Sequence, residues 1–403
     1  MAVCAGPGKL GPVSTPRAAL TARMQPFTTT VFAEMSALAV RTGAINLGQG
    51  FPDTDGPDSL LEDAVAAIRG GSNQYPPAPG LPALREAVAA HQARFRGLRV
   101  DPDDVLVTVG ATEALAAAVL ALTEPGDEVV TFEPYYDGYA ATIALAGATR
   151  RTVVLRSPDF ALDEAALRAA FSARTRLVLL NTPHNPTGKV FSRAELDLVA
   201  RLAVEHDAVV VADEVYEHMT YGVPHVPMAS LPGMAERTLT VSSAGKTFSV
   251  TGWKVGWVHG PTELVAAVRA VKQFLTFVGS GPFQPAVARA LALPDAYFDG
   301  LRADLARKRD LLVSGLEAAG LATNRPDGTY FVTADAAPLG YTDAMALCRD
   351  LPRLAGVVAV PVRAFHDDPD AAPTLLRFAF CKQDAVLAEA AERLAALGAR
   401  LAV

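Results

Sequence analysis

The chain has 403 residues, half of them apolar and a fifth charged, a balance that fits a globular protein large enough for two lobes. Acidic residues outnumber basic ones by 43 to 36 with no basic cluster, which argues against a nucleic-acid surface. No stretch is long and apolar enough to span a bilayer, and the first twenty residues hold six Gly and Pro in place of a continuous apolar signal core, so a cytoplasmic protein with no membrane partner is expected.

In chain order, residues 1–16 read as a flexible lead-in outside the fold, and residues 17–46 as a segment that joins a smaller lobe. Residues 47–290 are expected to form a large lobe. Within it, Asp101-Pro102-Asp103-Asp104 is a turn signal and VLVTV at 105–109 a short buried strand. EALAAAVLALTE at 113–124 predicts a helix, stopped by Pro125-Gly126. VVTF at 129–132 and LVLLN at 177–181 are further strands. Ser192 and Glu195 have the spacing of a capping box for a helix running to about His206. AVVVA at 208–212 and RTLTVS at 237–242 complete the apolar strands. Continuous apolar strands separated by helices predict an α/β fold with a mostly parallel sheet covered on both faces. Residues 291–403 change texture, with a charged helix at 298–319, GTYFV at 328–332, a helix, VVAVP at 357–361, LLRFAF at 375–380 and a closing helix. They predict a smaller α+β lobe. Cys4, Cys348 and Cys381 are widely spaced and form neither a CxxC pair nor a metal set, so a reducing compartment and no metal are expected.

Two nucleotide-binding patterns fail on context. Gly6-Pro7-Gly8-Lys9-Leu10-Gly11 fits GxGxxG in letters, yet it follows no strand and opens no helix. Gly245-Lys246-Thr247 looks like the end of a phosphate-binding loop, but Thr240 stands where that loop needs glycine.

The remaining candidates lie at the C-terminal ends of predicted strands, where open α/β sheets bind ligands, except for an arginine within one. Gly110-Ala111-Thr112 opens a helix whose free N–H groups and dipole suit a phosphate; an ordinary strand–helix turn is the bland reading. Asp213 and Tyr216 follow AVVVA, and a carboxylate there is either a helix cap or a partner for a cationic ring. Asn181 and Asn185 in NTPHNPTG serve turn chemistry or aim an amide at a bound oxygen. Ser243 and Lys246 sit in SSAGKTF with Lys254 eight residues on, and a lysine among small residues after an apolar strand is either surface or a desolvated amine nucleophile. Arg377 interrupts LLRFAF and either faces water or clamps a carboxylate. Together these are a phosphate cup, a carboxylate, a ring-oxygen contact, a nucleophilic lysine and a carboxylate clamp, the parts that a pyridoxal phosphate site requires.

With NLGQGFPD (46–53), NQYPPAPGLPALREA (73–87), VGATEAL (109–115), EPYYDGY (133–139), NTPHNPTGKVF (181–191), ADEVYEH (212–218), SSAGKTFSVTGWKVGW (242–257) and RFAF (377–380) in this order, the chain resembles class I aminotransferases of fold type I. It is most similar to the branch of kynurenine and glutamine–phenylpyruvate aminotransferases and actinobacterial N-succinyldiaminopimelate aminotransferases. The resemblance implies pyridoxal 5′-phosphate held by Lys246 as a Schiff base, with Asp213 on the pyridinium nitrogen and Asn185 and Tyr216 on the phenolic oxygen. It implies Tyr136 on the ring face, and Gly110, Ala111, Thr112, Ser243 and Lys254 around the phosphate. Many relatives have Arg at the position of Lys254. Tyr75 would reach the phosphate from the neighbouring subunit, so a homodimer with shared sites is implied. Arg377 would clamp the substrate carboxylate, with Gly50 and Asn185 in the same pocket. The implied activity is ping-pong transfer of an amino group from an L-amino acid to a 2-oxo acid.

For the substrate, VFAEMSALA (31–39), NQYPPAPG and GPFQPAVA (281–288) resemble the proteins that act on N-succinyl-LL-2,6-diaminopimelate with 2-oxoglutarate, a step toward lysine. The stretch KQFLTFVGSGPF (272–283) is expected to line the side-chain pocket, with Phe274, Leu275 and Phe277 as an apolar wall and Lys272 as a cation for a distant carboxylate. The same wall suits kynurenine, phenylalanine or methionine. A β-eliminating C–S lyase shares the pattern and would release ammonia without an acceptor. A DNA-binding regulator on this fold would need a further domain, and only a short neutral lead-in precedes the fold.

Overall fold

The computed structural model describes residues 19–27 and 31–401, so the lead-in expected at 1–16 lies outside the described residues. A seven-stranded sheet forms the centre, in the order Val105–Val109, Val255–His259, Thr238–Ser243, Val209–Asp213, Thr175–Asn181, Glu128–Glu133, Thr149–Val154. Val255–His259 runs antiparallel to both its neighbours and all other pairings are parallel. The α/β class and mostly parallel sheet read from the sequence are therefore observed.

Side-chain alternation explains why the strands are apolar throughout. Val130, Val178, Leu180, Val210 and Ala212 pack into a core with Leu196 and Val199 from the helix Arg193–Glu205. Their neighbours Val129, Leu177, Leu179, Val209 and Val211 pack into a second core with Leu115 and Val119 from the helix Gly110–Leu122. Successive residues of a strand face opposite sides, so a sheet covered on both faces has no position for a solvated side chain. The capping box is present, with Glu195 N–H donating to Ser192 Oγ and Ser192 N–H to the Glu195 carboxylate.

Two strands of this central sheet are not apparent in the sequence. Thr149–Val154 is one edge of the sheet and carries Arg150 and Arg151, which breaks the apolar pattern that marks buried strands. Val255–His259 is only five residues long and follows Lys254 inside the longest motif, where the motif masked the alternation.

A second sheet, entirely antiparallel, has the order Val360–Pro361, Leu375–Ala379, Phe331–Asp335, Ala322–Thr323. The helices Asp295–Ala318 and Asp384–Leu401 pack against each other beside it. Ile45–Asn46 pairs in parallel with Val357–Val358, and Met35 and Ala39 of the helix Val31–Thr42 enter the same core as Leu312 and Leu387. Among the described residues, no helix is long and apolar enough to cross a membrane.

Candidate active site

The parallel strands end at one edge of the sheet, and a cavity of about 210 Å³ opens there. Its wall contains Gly110, Ala111, Thr112, Tyr136, Asn185, Asp213, Tyr216, Ser243, Lys246 and Lys254. Candidates that stretch from residue 110 to 254 in sequence thus converge on one space.

Asp213 is the last residue of its strand and is 5% exposed. Tyr139 donates to its Oδ2 at 2.6 Å and Val215 N–H to its Oδ1 at 3.4 Å. Burial nonetheless pushes the carboxyl up to about 6, because taking a carboxylate out of water costs more than those bonds return. Such a group prefers a cationic partner. Asn181 fixes the turn beside it: its amide nitrogen donates to the Asp213 carbonyl at 2.8 Å and its amide oxygen accepts Asn185 N–H at 2.7 Å. Asn181 thus serves the turn, and Asn185 is the amide presented to the pocket.

Lys246 lies in the single turn Ala244–Thr247 that follows the strand Thr238–Ser243. Its Nζ donates to the Tyr330 hydroxyl at 2.9 Å and stands 5.6 Å from the ring centres of both Tyr216 and Tyr330. Burial lowers its pKa to about 8; Arg377 and Lys254 push the same way, while Cys381 and Asp213 oppose. A lysine in that range supplies an uncharged nucleophile near neutral pH.

The rim of the cavity is an anion cup. The helix Gly110–Leu122 presents its free N–H groups there, opened by Gly110-Ala111-Thr112, and Lys254 Nζ donates to Thr112 Oγ1 at 3.2 Å. Gly110 is favoured by its φ of 68°, and a Cβ there would press on the end of the Lys254 side chain at 3.0 Å.

Arg377 is 2% exposed and is held from several sides. Its Nη1 donates to Asn185 Oδ1 at 3.1 Å and its Nη2 to the Gly48 carbonyl at 2.7 Å, while Nε is buried without a hydrogen-bond partner among the described residues. The guanidinium lies 4.2 Å from the Phe331 ring centre, 5.0 Å from Phe365 and 5.2 Å from Phe32. Burial brings its pKa down to about 10, still charged at neutral pH. A fixed, incompletely satisfied guanidinium is a receptor for a carboxylate. Gly50 is not on the cavity wall; it lies over Phe331, whose ring a Cβ at residue 50 would meet at 2.5 Å.

Four features go beyond or against the expectations from sequence. Tyr139 and Tyr330 join the site through Asp213 and Lys246, although the motifs EPYYDGY and GTYFV single out neither. Lys272 is 2% exposed, its ammonium donates to the Phe277 carbonyl on the side of Glu113, and it is absent from the cavity wall. Tyr75 is absent from the cavity wall and stands 82% exposed against Phe277. Half of ADEVYEH is structural: Glu217 takes Arg96 Nε and Ser242 Oγ at 2.9 Å each, and His218 Nε2 meets His91 Nε2 at 2.7 Å.

A mixed α/β sheet with an amine, a buried carboxylate and an anion cup at its strand ends defines an enzyme of the fold type I class. The chain belongs to the aminotransferase class I and II family, which it matches over residues 42–394, and it is an aminotransferase. It is 54% identical over 391 residues to a probable N-succinyldiaminopimelate aminotransferase, DapC, of Mycobacterium tuberculosis, covering 94% of this chain and 98% of that protein. The solved structure of N-succinyldiaminopimelate aminotransferase from Mycobacterium tuberculosis superposes with a TM-score of 0.92 over 94% of this chain and all of that one, at 54% identity. A methionine aminotransferase of Escherichia coli is 42% identical, covering 91% of this chain and 95% of that protein. The family resemblance read from the motifs is borne out.

Proposed function

We propose that this aminotransferase is a cytoplasmic, pyridoxal-5′-phosphate-dependent homodimer. Its amino donor is N-succinyl-LL-2,6-diaminopimelate and its acceptor 2-oxoglutarate. The observation that carries the cofactor reading is one cavity holding a low-pKa amine, a high-pKa carboxylate and an anion cup. The residues fit the group: Gly110, Ala111, Thr112, Ser243 and Lys254 line one side of the cavity as a cup for an anion, and the buried Arg377 Nε, without a hydrogen-bond partner among the described residues, suits a substrate carboxylate.

Lys246 would hold the cofactor covalently through its amine nitrogen. Asp213 would keep the ring nitrogen protonated, with Tyr139 orienting the carboxylate. Asn185 and Tyr216 would contact the phenolic oxygen and Tyr136 would cover the ring. Gly110, Ala111, Thr112, Ser243 and Lys254 would bind the phosphate. When bound, pyridoxal phosphate supplies an electron sink for the substrate Cα and carries the amino group between the two half-reactions. Arg377 fixes the substrate carboxylate and so orients the Cα–H bond. Lys246, once its nitrogen is released, takes the Cα proton as a general base. One product leaves before the second substrate binds, so the kinetics are ping-pong.

The reading of residues 17–46 with 291–403 as a small lobe, against 47–290 as the large one, is supported by the pairing of Ile45–Asn46 with Val357–Val358. The dimer is supported by Tyr75 and Phe274, 82% and 84% exposed on the monomer, which is costly for large apolar rings. Tyr75 would complete the partner's phosphate cup. Sedimentation at assay concentration is expected to give a dimer, and a fully active monomer would refute shared sites.

The donor assignment is supported by the 54% identity to the DapC protein over nearly the whole chain. The seclusion of Lys272 favours a second reading, an aromatic or methionine donor, because it removes the one cation of the 272–283 stretch from its own pocket. With 2-oxoglutarate as acceptor, kcat/KM is expected to be higher for the succinylated donor than for kynurenine, phenylalanine or methionine. The opposite order would leave a general aminotransferase of the kynurenine or methionine type.

A further inference from the structure

Tyr330 stands just ahead of the strand Phe331–Asp335 and is 1% exposed. Its hydroxyl joins two distant parts of the chain: it accepts from Lys246 Nζ at 2.9 Å and donates to the Gly50 carbonyl at 2.6 Å. A phenol has a single hydrogen. The Gly50 carbonyl, at 2.6 Å, takes that hydrogen in preference to the neighbouring Tyr216 hydroxyl, so lone pairs face the lysine.

Both ends of this bridge are fixed independently of Lys246. The Tyr330 ring packs edge-on against Tyr216, centres 5.3 Å apart, and lies 4.8 Å from Phe331. The segment 47–51 is anchored by Ala379 N–H on the Leu47 carbonyl, Arg377 Nη2 on Gly48 and Lys382 Nζ on Phe51, each at 2.7 Å. The Gly50 carbonyl therefore cannot swing away to release the tyrosine.

We infer that Tyr330 is a positioning residue for Lys246, holding its amine by a single directed hydrogen bond whenever that nitrogen is not covalently engaged. An uncharged amine has two hydrogens and one lone pair. Directing one hydrogen at Tyr330 leaves the lone pair free for the cavity, as a base or nucleophile requires. The inference rests on the proposed role of Lys246.

The consequence reaches the lysine's titration. Asp213 and Cys381 favour the charged form, Arg377 and Lys254 disfavour it, and the rings of Tyr216 and Tyr330 flank it. A hydroxyl oxygen accepting from the amine binds the ammonium form more strongly than the neutral one. Its removal therefore makes Lys246 lose its proton at lower pH.

The test uses the full chain without cofactor. Acetylation of Lys246 by acetic anhydride is followed against pH by peptide mass. Tyr330→Phe, which keeps the ring, is expected to lower the midpoint by roughly 0.5–1 pH unit. In the loaded enzyme it is expected to lower kcat by about tenfold with little change in the KM of the donor. Tyr297→Phe, which removes a hydroxyl bonded to the Thr247 carbonyl next to Lys246 and leaves the bridge intact, is expected to leave the midpoint in place. An unchanged midpoint in Tyr330→Phe, or an equal shift in Tyr297→Phe, overturns the inference. If Lys246→Ala retains normal turnover, the role of Lys246 itself fails; if that variant is inactive and Tyr330→Phe behaves as wild type, only the role of Tyr330 fails.

Discussion

Lys246→Ala is expected to yield a folded protein whose transamination falls by about 10⁴-fold or more, since one nitrogen serves as both covalent anchor and base. The site tolerates the change structurally. Lys246 sits in a single turn between a fully buried strand and Thr251–Trp253, and the only hydrogen bond its side chain makes among the described residues is to Tyr330. Removing a buried amine whose pKa burial has lowered to about 8 also relieves a desolvation cost. The sign is as follows. A base with a folded pKa of about 8 against 10.5 unfolded holds fewer protons when folded, so the wild-type stability rises with pH between those values. The variant is expected to lack that rise. Stability would be measured by chemical denaturation on cofactor-free protein at pH 7 and pH 10, and turnover by 2-oxo acid formation. Normal turnover by Lys246→Ala would refute the assignment of this lysine.

Arg377→Ala is expected to raise the KM for both the amino donor and the 2-oxo acid, with a loss in kcat/KM equivalent to about 2–5 kcal/mol, the usual range for deleting one partner of a buried charge pair. Cofactor affinity should change much less, because Arg377 stands apart from the anion cup that would hold the phosphate. Arg377→Lys is expected to recover only part of the loss. A lysine has no planar fork to hold a carboxylate while also donating to Asn185 Oδ1 and the Gly48 carbonyl, and it cannot stack on Phe331 in the same way. Michaelis constants that stayed put for both substrates would show that Arg377 is not the clamp.

These expectations draw on two kinds of information. The chemical inventory of the site was legible in the linear sequence because each piece is a short contiguous motif tied to a strand end. VLVTV followed by Gly110-Ala111-Thr112, AVVVA followed by Asp213, and TVS followed by Ser243 and Lys246 each specify their own local geometry through strand, turn and helix start. The α/β class was legible for a related reason: strands buried on both faces leave an uninterrupted apolar signature, visible without knowing which neighbours cover them. Thr149–Val154, an edge strand whose Thr149 and Arg151 are exposed, lacks that signature, whereas Val105–Val109 at the other edge is buried and keeps it.

Only the tertiary structure decided how the groups act on one another. Tyr139 meets Asp213 across 74 residues, Tyr330 meets Lys246 across 84, and Arg377 meets Asn185 across 192. No local spacing encodes such contacts, because they depend on how separate elements pack. Lys272 shows the same limit from the other side. In sequence it is a cation beside an apolar stretch, free to point anywhere, yet the fold folds it back onto the Phe277 carbonyl near Glu113 and buries it. Sequence alone determined which functional groups this aminotransferase carries at its strand ends, since those follow from local backbone and burial patterns. Which of them are charged, which way they face and what holds them was decided by long-range packing, since desolvation and hydrogen-bond partners exist only once distant segments have come together.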